Sequence, residues 1–261
     1  EIQAQFDVGQ YIKTLDPNYS HPNYRCDFLL TYRDENISKV ASACIDTSDG
    51  LLTDLKKMIH SSKLGARIYG YALNPISRPN FFDGLKLSSF LKKDIRNDIL
   101  NLKKLTKSIN KIKPQIIFHM AAQSSVLESY KDPIGTTKTN IIGTANVLEA
   151  IRGCKSVKAV IIVTTDKVYL NLEKRKKFKE GDHLGGYDIY SGSKASCEVI
   201  THSFIKSFYR NSNCKIATVR SGNCIGGGDW TKDRIVKDCA ESFILNKKIF
   251  IMSPKASRPW Q

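Results

Sequence analysis

A chain of 261 residues with 41% hydrophobic residues can bury a substantial core, as one large domain or two small ones, and it holds no apolar run long enough to span a bilayer. Its 41 Lys and Arg against 25 Asp and Glu leave a net charge of +16, which suits anionic small ligands; the basic residues are spread out, the dense run Lys174-Arg175-Lys176-Lys177 reads as a solvated loop, and no motif for nucleic acid accompanies them, so neither nucleic acid nor a membrane is expected as a partner. Seven scattered cysteines without a Cys-x-x-Cys pair exclude a disulfide framework and a zinc knuckle, and they read as reduced thiols of a cytoplasmic protein with no metal site.

The N-terminus, Glu1-Ile2-Gln3-Ala4-Gln5, has neither a starting Met nor the basic and apolar regions of a secretion signal, so the chain is expected to be a piece of a longer one. Residues 1–40 read as an irregular segment. A strand is predicted at 42–46, a helix at 50–61, and a strand at 66–73 stopped by Asn74-Pro75. A helical spacing over 102–112 ends before Pro114, and an apolar strand follows at 115–120. A helix over 139–152 stops at Gly153; the β-branched run 159–163 reads as a strand covered on both faces. A long helix over 190–209 and a strand at 215–219 complete an alternation that argues for an α/β fold with a parallel, doubly wound sheet. Residues 41–220 are read as one domain. After it the pattern changes to Gly226-Gly227-Gly228-Asp229-Trp230, a helix over 234–246 and a strand-like 249–252, so residues 221–261 read as the start of an incomplete second region.

The richest chemistry lies in Tyr190-Ser191-Gly192-Ser193-Lys194-Ala195, which follows the strand end Thr164-Thr165-Asp166-Lys167-Val168-Tyr169. On a helix, Tyr190 and Lys194 share a face. An ammonium beside a phenol favours the phenolate, which can then act as a base near neutral pH and take a proton from a hydroxyl whose carbon loses hydride. His119, inside an apolar strand, reads as a core histidine. The glycine run at 226–228 follows a strand but opens no helix, so it reads as a turn near substrate.

From about residue 66 to 261 the chain resembles the extended short-chain dehydrogenase/reductase superfamily, and within it the CDP-glucose 4,6-dehydratase family. The resemblance rests on Gly70-Tyr71-Ala72-Leu73-Asn74-Pro75, Asp94-Ile95-Arg96, Phe118-His119-Met120-Ala121-Ala122-Gln123, the two segments just quoted, Arg220-Ser221-Gly222-Asn223-Cys224-Ile225-Gly226-Gly227-Gly228-Asp229-Trp230, Asp233-Arg234-Ile235-Val236 and Arg258-Pro259-Trp260-Gln261. It implies a Rossmann-type doubly wound parallel sheet, NAD as cofactor, a nucleotide sugar (CDP-glucose) as substrate, and a homodimer built on the 190–209 helix. It implies that Tyr190 deprotonates the sugar 4-hydroxyl, that Lys194 lowers its pKa and holds the nicotinamide ribose, and that Thr165 hydrogen-bonds the same hydroxyl. Asp166 would protonate the leaving 6-hydroxyl, and Lys167 stands where many sugar-nucleotide dehydratases carry a glutamate base. Asp94, Ile95, Ala121, Ala122 and Gln123, with Tyr190 and Lys194, would contact the cofactor; Asn223, Arg234 and Arg258 would contact the sugar nucleotide.

The first βαβ unit is atypical. In place of a glycine-rich turn, residues 43–55 read Ala43-Cys44-Ile45-Asp46-Thr47-Ser48-Asp49-Gly50-Leu51-Leu52-Thr53-Asp54-Leu55. From about residue 21 to 66 the chain resembles thiamine-monophosphate kinase, whose signature includes such an Asp-x-Ser-Asp-Gly-Leu stretch. Asp46 and Asp49 at a pyrophosphate would cost about 1–4 kcal/mol at an effective dielectric near 20, or roughly one to three decades of affinity. A junction near Leu64-Gly65-Ala66, impaired NAD binding and a truncated C-terminal substrate domain are the resulting expectations. An epimerase or reductase of the same superfamily, or a non-catalytic fusion fragment, stand as the alternatives.

Overall fold

The computed structural model describes residues 4–7, 25–28, 67–74, 87–173, 177–224, 234–249, 251 and 256. These divide into two compact units, one holding Arg96–Ser221 and the other the segments on either side of it. The predicted elements at 42–46 and 50–61, with Asp46 and Asp49, the glycine run 226–228 and Arg258, lie outside the described residues.

The flanking unit opens with strands β1 (Ala4–Asp7) and β2 (Arg25–Phe28), paired antiparallel from Ala4↔Phe28 to Asp7↔Arg25. This ladder stands in a segment that the sequence reading expects to be irregular. Its period-2 alternation lasts only four residues on each strand, too short to separate from chance. Strands β3 (Tyr69–Ala72) and β4 (Lys93–Arg96) form a second two-stranded sheet, after a 3₁₀ turn at Leu87–Phe90. Gly70 lies close against its neighbours there: a Cβ on it would stand 2.8 Å from Leu91 Cδ1 and 3.5 Å from Asp94 Oδ1.

The Arg96–Ser221 unit begins with helix α1 (Leu102–Ile112). Asn101 caps it by accepting from the Lys104 N–H, and Lys113 closes it in the left-handed region with φ 53°, just before Pro114. Leu105 and Ile109, four apart, are its buried residues. Strand β5 (Ile116–His119) leads to helix α2 (Val126–Lys131), capped by Ser125, and to helix α3 (Pro133–Thr137), capped by Asp132 with Pro133 in the first turn. A π turn at Lys138–Ile142 joins α3 to helix α4 (Gly143–Ala150). The helix predicted over 139–152 therefore starts earlier, at the Asp132–Pro133 cap, and carries a one-residue expansion in its middle.

Strand β6 (Ala159–Val163) is followed by a 3₁₀ turn (Asp166–Val168), helix α5 (Ile189–Phe204), a second π turn (Ile205–Tyr209) and strand β7 (Lys215–Val219). The sheet runs β5-β6-β7, wholly parallel, with Ile116↔Ala159 and Ala159↔Lys215 in register. Val160 and Ile162 are buried while Ala159, Ile161 and Val163 are half-buried. With Val147, Leu148, Ile151, Cys197 and Ile216 they make the core, and Tyr209 hands its phenol proton to the Leu148 carbonyl at 2.5 Å. Phe208 is half exposed and carries the Arg152 guanidinium 4.9 Å from its ring centroid. In the flanking unit, helix α6 (Ile235–Ile244) has no buried residue, and Ile249 and Ile251, read as strand-like, lie in neither helix nor strand.

Among the described residues no helix is long and apolar enough to cross a membrane, and no group of three His, Cys, Asp or Glu side chains could hold a metal ion.

Candidate active site

Beyond β6 the chain continues the ladder for three residues. Thr164 N–H donates to the Val219 carbonyl at 2.7 Å and Asp166 N–H to the Ser221 carbonyl at 2.8 Å. This holds Thr165 extended, at φ −153° and ψ 157°, as the cap of the 3₁₀ turn. Its hydroxyl donates to Asp166 Oδ1 at 3.1 Å and accepts from the Lys167 N–H at 3.4 Å. Thr165, Asp166 and Lys167 thus stand at the carboxyl end of a parallel strand, where open α/β sheets place their ligands.

The second element is the start of α5. Asp188 caps it, accepting from the Ser191 N–H at 2.8 Å and the Ser191 hydroxyl at 2.6 Å. Tyr190 N–H donates to Ser129 Oγ at 3.2 Å, and the Tyr190 carbonyl accepts from Ser193 Oγ at 2.7 Å. Gly186 packs so closely on this turn that a Cβ would stand 2.2 Å from Ser191 Cβ. One turn on, Lys194 is buried, and its ammonium donates to the Val163 carbonyl at 2.9 Å. That bond pins α5 to the last residue of β6, two residues before Thr165. Lys167 also meets Tyr190, its ammonium 5.9 Å from the ring centroid. The sequence reading pairs one ammonium with the phenol; the structure anchors Lys194 on a carbonyl and brings a second ammonium, Lys167, over the Tyr190 ring.

Burial pulls the Lys194 ammonium below its ordinary range, with the Cys197 thiol acting in the opposite direction. His119, the last residue of β5, is pushed down to about 4, first by burial and then by the Lys194 charge. Its Nε2 is hydrogen-bonded to Thr144 Oγ1 at 3.0 Å, and the Thr144 hydroxyl also reaches the Asn140 carbonyl at 2.7 Å. His119 is a satisfied neutral core histidine.

Asn140, at the middle of the π turn, accepts from the Gln123 N–H at 2.8 Å and donates to the Gln123 carbonyl at 3.1 Å and to Ser193 Oγ at 2.8 Å. It therefore ties the segment after β5 to the Tyr190 turn. Ala121, Ala122 and Gln123 lie in that segment. The Gln123 side-chain amide is engaged with Ser125 and Thr136, so both its side chain and its backbone have partners within the fold. Asn140, Ser193, Ser129, Glu198 and Arg220 are residues to which the sequence reading gives no role. Glu198, four residues beyond Lys194, was the one with a local signal. Asp94 and Ile95 lie on β4 of the flanking unit; Asn223 and Arg234 also belong to that unit. The depression lined by Thr106, Asn110, Glu149, Ala150, Arg152 and Gly153 lies at the end of α4 that feeds β6, away from the strands' carboxyl ends.

The arrangement gathers a buried phenol, two ammonium groups, a hydroxyl and a carboxylate at the ends of neighbouring elements, a set able to move protons on a polyhydroxylated ligand. A CDP-glucose 4,6-dehydratase of Salmonella typhimurium is 41% identical over 205 residues, which is 77% of this chain and 57% of that protein. A dTDP-D-glucose 4,6-dehydratase of Dictyostelium discoideum is 29% identical over 64% of this chain and 40% of its own. The chain thus spans about half the length of these curated relatives. Among solved structures, a dTDP-glucose 4,6-dehydratase double mutant from Streptomyces venezuelae superposes with a TM-score of 0.66 at 18% identity, over 77% of this chain and 61% of that one. The UDP-glucuronic acid 4-epimerase of Bacillus cereus gives 0.65 at 23%, over 78% and 63%. These likenesses make the fold a Rossmann-type α/β fold. The family model described as GDP-mannose 4,6 dehydratase matches residues 88–227, more than half of the chain, and the chain belongs to that family.

Proposed function

We propose that this chain carries the catalytic part of a sugar-nucleotide 4,6-dehydratase, a lyase acting on CDP-glucose to give CDP-4-keto-6-deoxyglucose with NAD recycled. The observation that supports it most is the junction of Thr165, Asp166 and Lys167 with Tyr190 and Lys194, in a chain 41% identical to a CDP-glucose 4,6-dehydratase. The donor set fits a nicotinamide ribose: the Lys194 ammonium has three N–H donors, and its bond to Val163 occupies one.

Tyr190 and Lys194 would hold the cofactor together with Ala121, Ala122, Gln123, Asp94 and Ile95; Asn223, Arg234 and Arg258 would hold the sugar nucleotide. NAD, when bound, supplies the hydride acceptor for C4 and the hydride donor for C6. Tyr190 takes the proton of the 4-hydroxyl while Thr165 orients that hydroxyl. Lys167, as the neutral amine, removes the C5 proton acidified by the new ketone, and Asp166, as the carboxylic acid, protonates the 6-hydroxyl so that it leaves as water. Lys167 then returns a proton to C5. The five free cysteines among the described residues agree with a reducing cytoplasm, and the exposed side of α5 around Val199 suits a dimer contact, to be read by sedimentation velocity.

The test is to incubate the full chain with CDP-glucose and NAD and look for the 4-keto product by its absorbance in base. Formation of that product supports the reading; inversion at C4 without it makes the chain an epimerase, and no reaction with intact NAD binding makes it a non-catalytic relative. A calorimetric NAD titration addresses residues 43–55 separately. A micromolar dissociation constant without magnesium would show that Asp46 and Asp49 do not impair the site.

A further inference from the structure

Glu198 and Arg220 are nearly inaccessible charges to which the chemistry above gives no role. Arg220 Nε donates to Glu198 Oε1 at 2.8 Å and its Nη2 to Oε2 at 2.5 Å, a two-pronged pair. Each partner reaches further. Glu198 Oε1 also accepts from the Thr164 hydroxyl at 2.7 Å. Arg220 lies 4.6 Å from the centroid of the Tyr169 ring, which stacks on Phe178 at 4.7 Å, and its Nη1 donates to the Glu180 carbonyl at 3.2 Å. The backbone under Tyr169 is closed by Leu170 N–H to the His183 carbonyl at 2.9 Å and Gly185 N–H to the Val168 carbonyl at 2.8 Å. One ion pair thus touches α5 a turn beyond Lys194, the end of β6 beside Thr165, the end of β7, and the chain that leaves the 3₁₀ turn.

A buried ion pair is a poor source of stability, because desolvating both charges offsets most of their attraction. A planar fork on a carboxylate does, however, fix direction as well as distance. We propose that Glu198 and Arg220 are positioning residues, which set Thr165, Asp166 and Lys167 against Tyr190 and Lys194; this rests on the dehydratase reading of that site. Neither side chain touches the reacting sugar. The pair acts through Thr164 on one side and Tyr169 on the other.

The experiment compares the full chain with Arg220→Met, Arg220→Lys and Glu198→Gln in two measurements. In steady-state turnover of CDP-glucose, Arg220→Met lowers kcat about a hundredfold while KM stays within about twofold, and Arg220→Lys recovers part of the loss. In hydrogen exchange read by mass spectrometry, Arg220→Met speeds the amides of residues 164–170 and 183–186 and leaves those of 159–162 and 215–218 as they were. Exchange that rises evenly along the chain, or an unchanged kcat, overturns the proposal. If Arg220→Met does not fold, Glu198→Gln, which keeps shape and an acceptor for Thr164, carries the same comparison. If the unaltered chain forms no 4-keto product, the dehydratase reading falls, and the exchange pattern alone decides whether the pair holds the strand end.

Discussion

Between pH 6.5 and 4, His119 makes this protein lose stability. It is buried at the end of β5, hydrogen-bonded to Thr144 and neutral in the fold, with its pKa lowered from 6.5 to about 4 by burial and the Lys194 charge. Above pH 6.5 the ring is neutral in both states and the group does not discriminate. Below that value the unfolded chain takes up the proton and the folded chain does not, so stability falls with pH until about 4, where the folded ring titrates as well. At about 1.36 kcal/mol for each tenfold change in proton affinity, the full loss is about 3 kcal/mol, of which about 1.4 kcal/mol is reached by pH 5.5. The comparison is with His119→Gln, whose amide can donate to Thr144 and never charges. Urea unfolding of both proteins at pH 7.5, 6.5, 5.5 and 4.5 cancels the carboxylates they share. The stability of the unaltered protein relative to His119→Gln should drop by these amounts as pH falls. A difference that is flat with pH would refute the reasoning, because His119 would then be solvated or charged in the native state.

Tyr190→Phe should lower turnover of CDP-glucose by at least about a hundredfold with little change in the urea midpoint, since the hydroxyl is the proposed proton acceptor and the ring remains to pack. Asn140→Ala strips the Gln123 and Ser193 contacts together, and equilibrium unfolding should register a loss of about 2–4 kcal/mol. Gly186→Ala drives a methyl group into the Ser191 and Gly192 backbone, at 2.9 and 3.0 Å, and should cost about 1–3 kcal/mol in the same measurement while also depressing turnover by displacing Tyr190.

What the sequence disclosed follows the range of each interaction. The helix Leu102–Ile112 could be read because its spacing is helical and Pro114 marks its end locally, and the strand Ala159–Val163 because five apolar residues, four of them β-branched, stand in a row. Tyr190 and Lys194 could be paired because a helix turns four residues of separation into one face. The carbonyl that holds Lys194 comes from 31 residues away, the Arg220 that meets Glu198 from 22, and the Ser193 that meets Asn140 from 53. No periodicity encodes those distances. The π turn at Lys138–Ile142 was equally silent, since one extra residue in a helix changes the phase of the pattern without breaking it. Strand β4 entered the sequence reading only through the motif Asp94-Ile95-Arg96, because four residues with two charges at its start do not alternate.

The oxygen that holds Lys194 belongs to a peptide group, so it steadies the cation without neutralising it. A carboxylate in that place would erase the field the ammonium casts toward an arriving ligand. In a molecule carrying +16, diphosphate esters feel that local field and the global one together. Their capture should slow as ionic strength rises, while the arrangement of groups around a ligand already seated stays as it was.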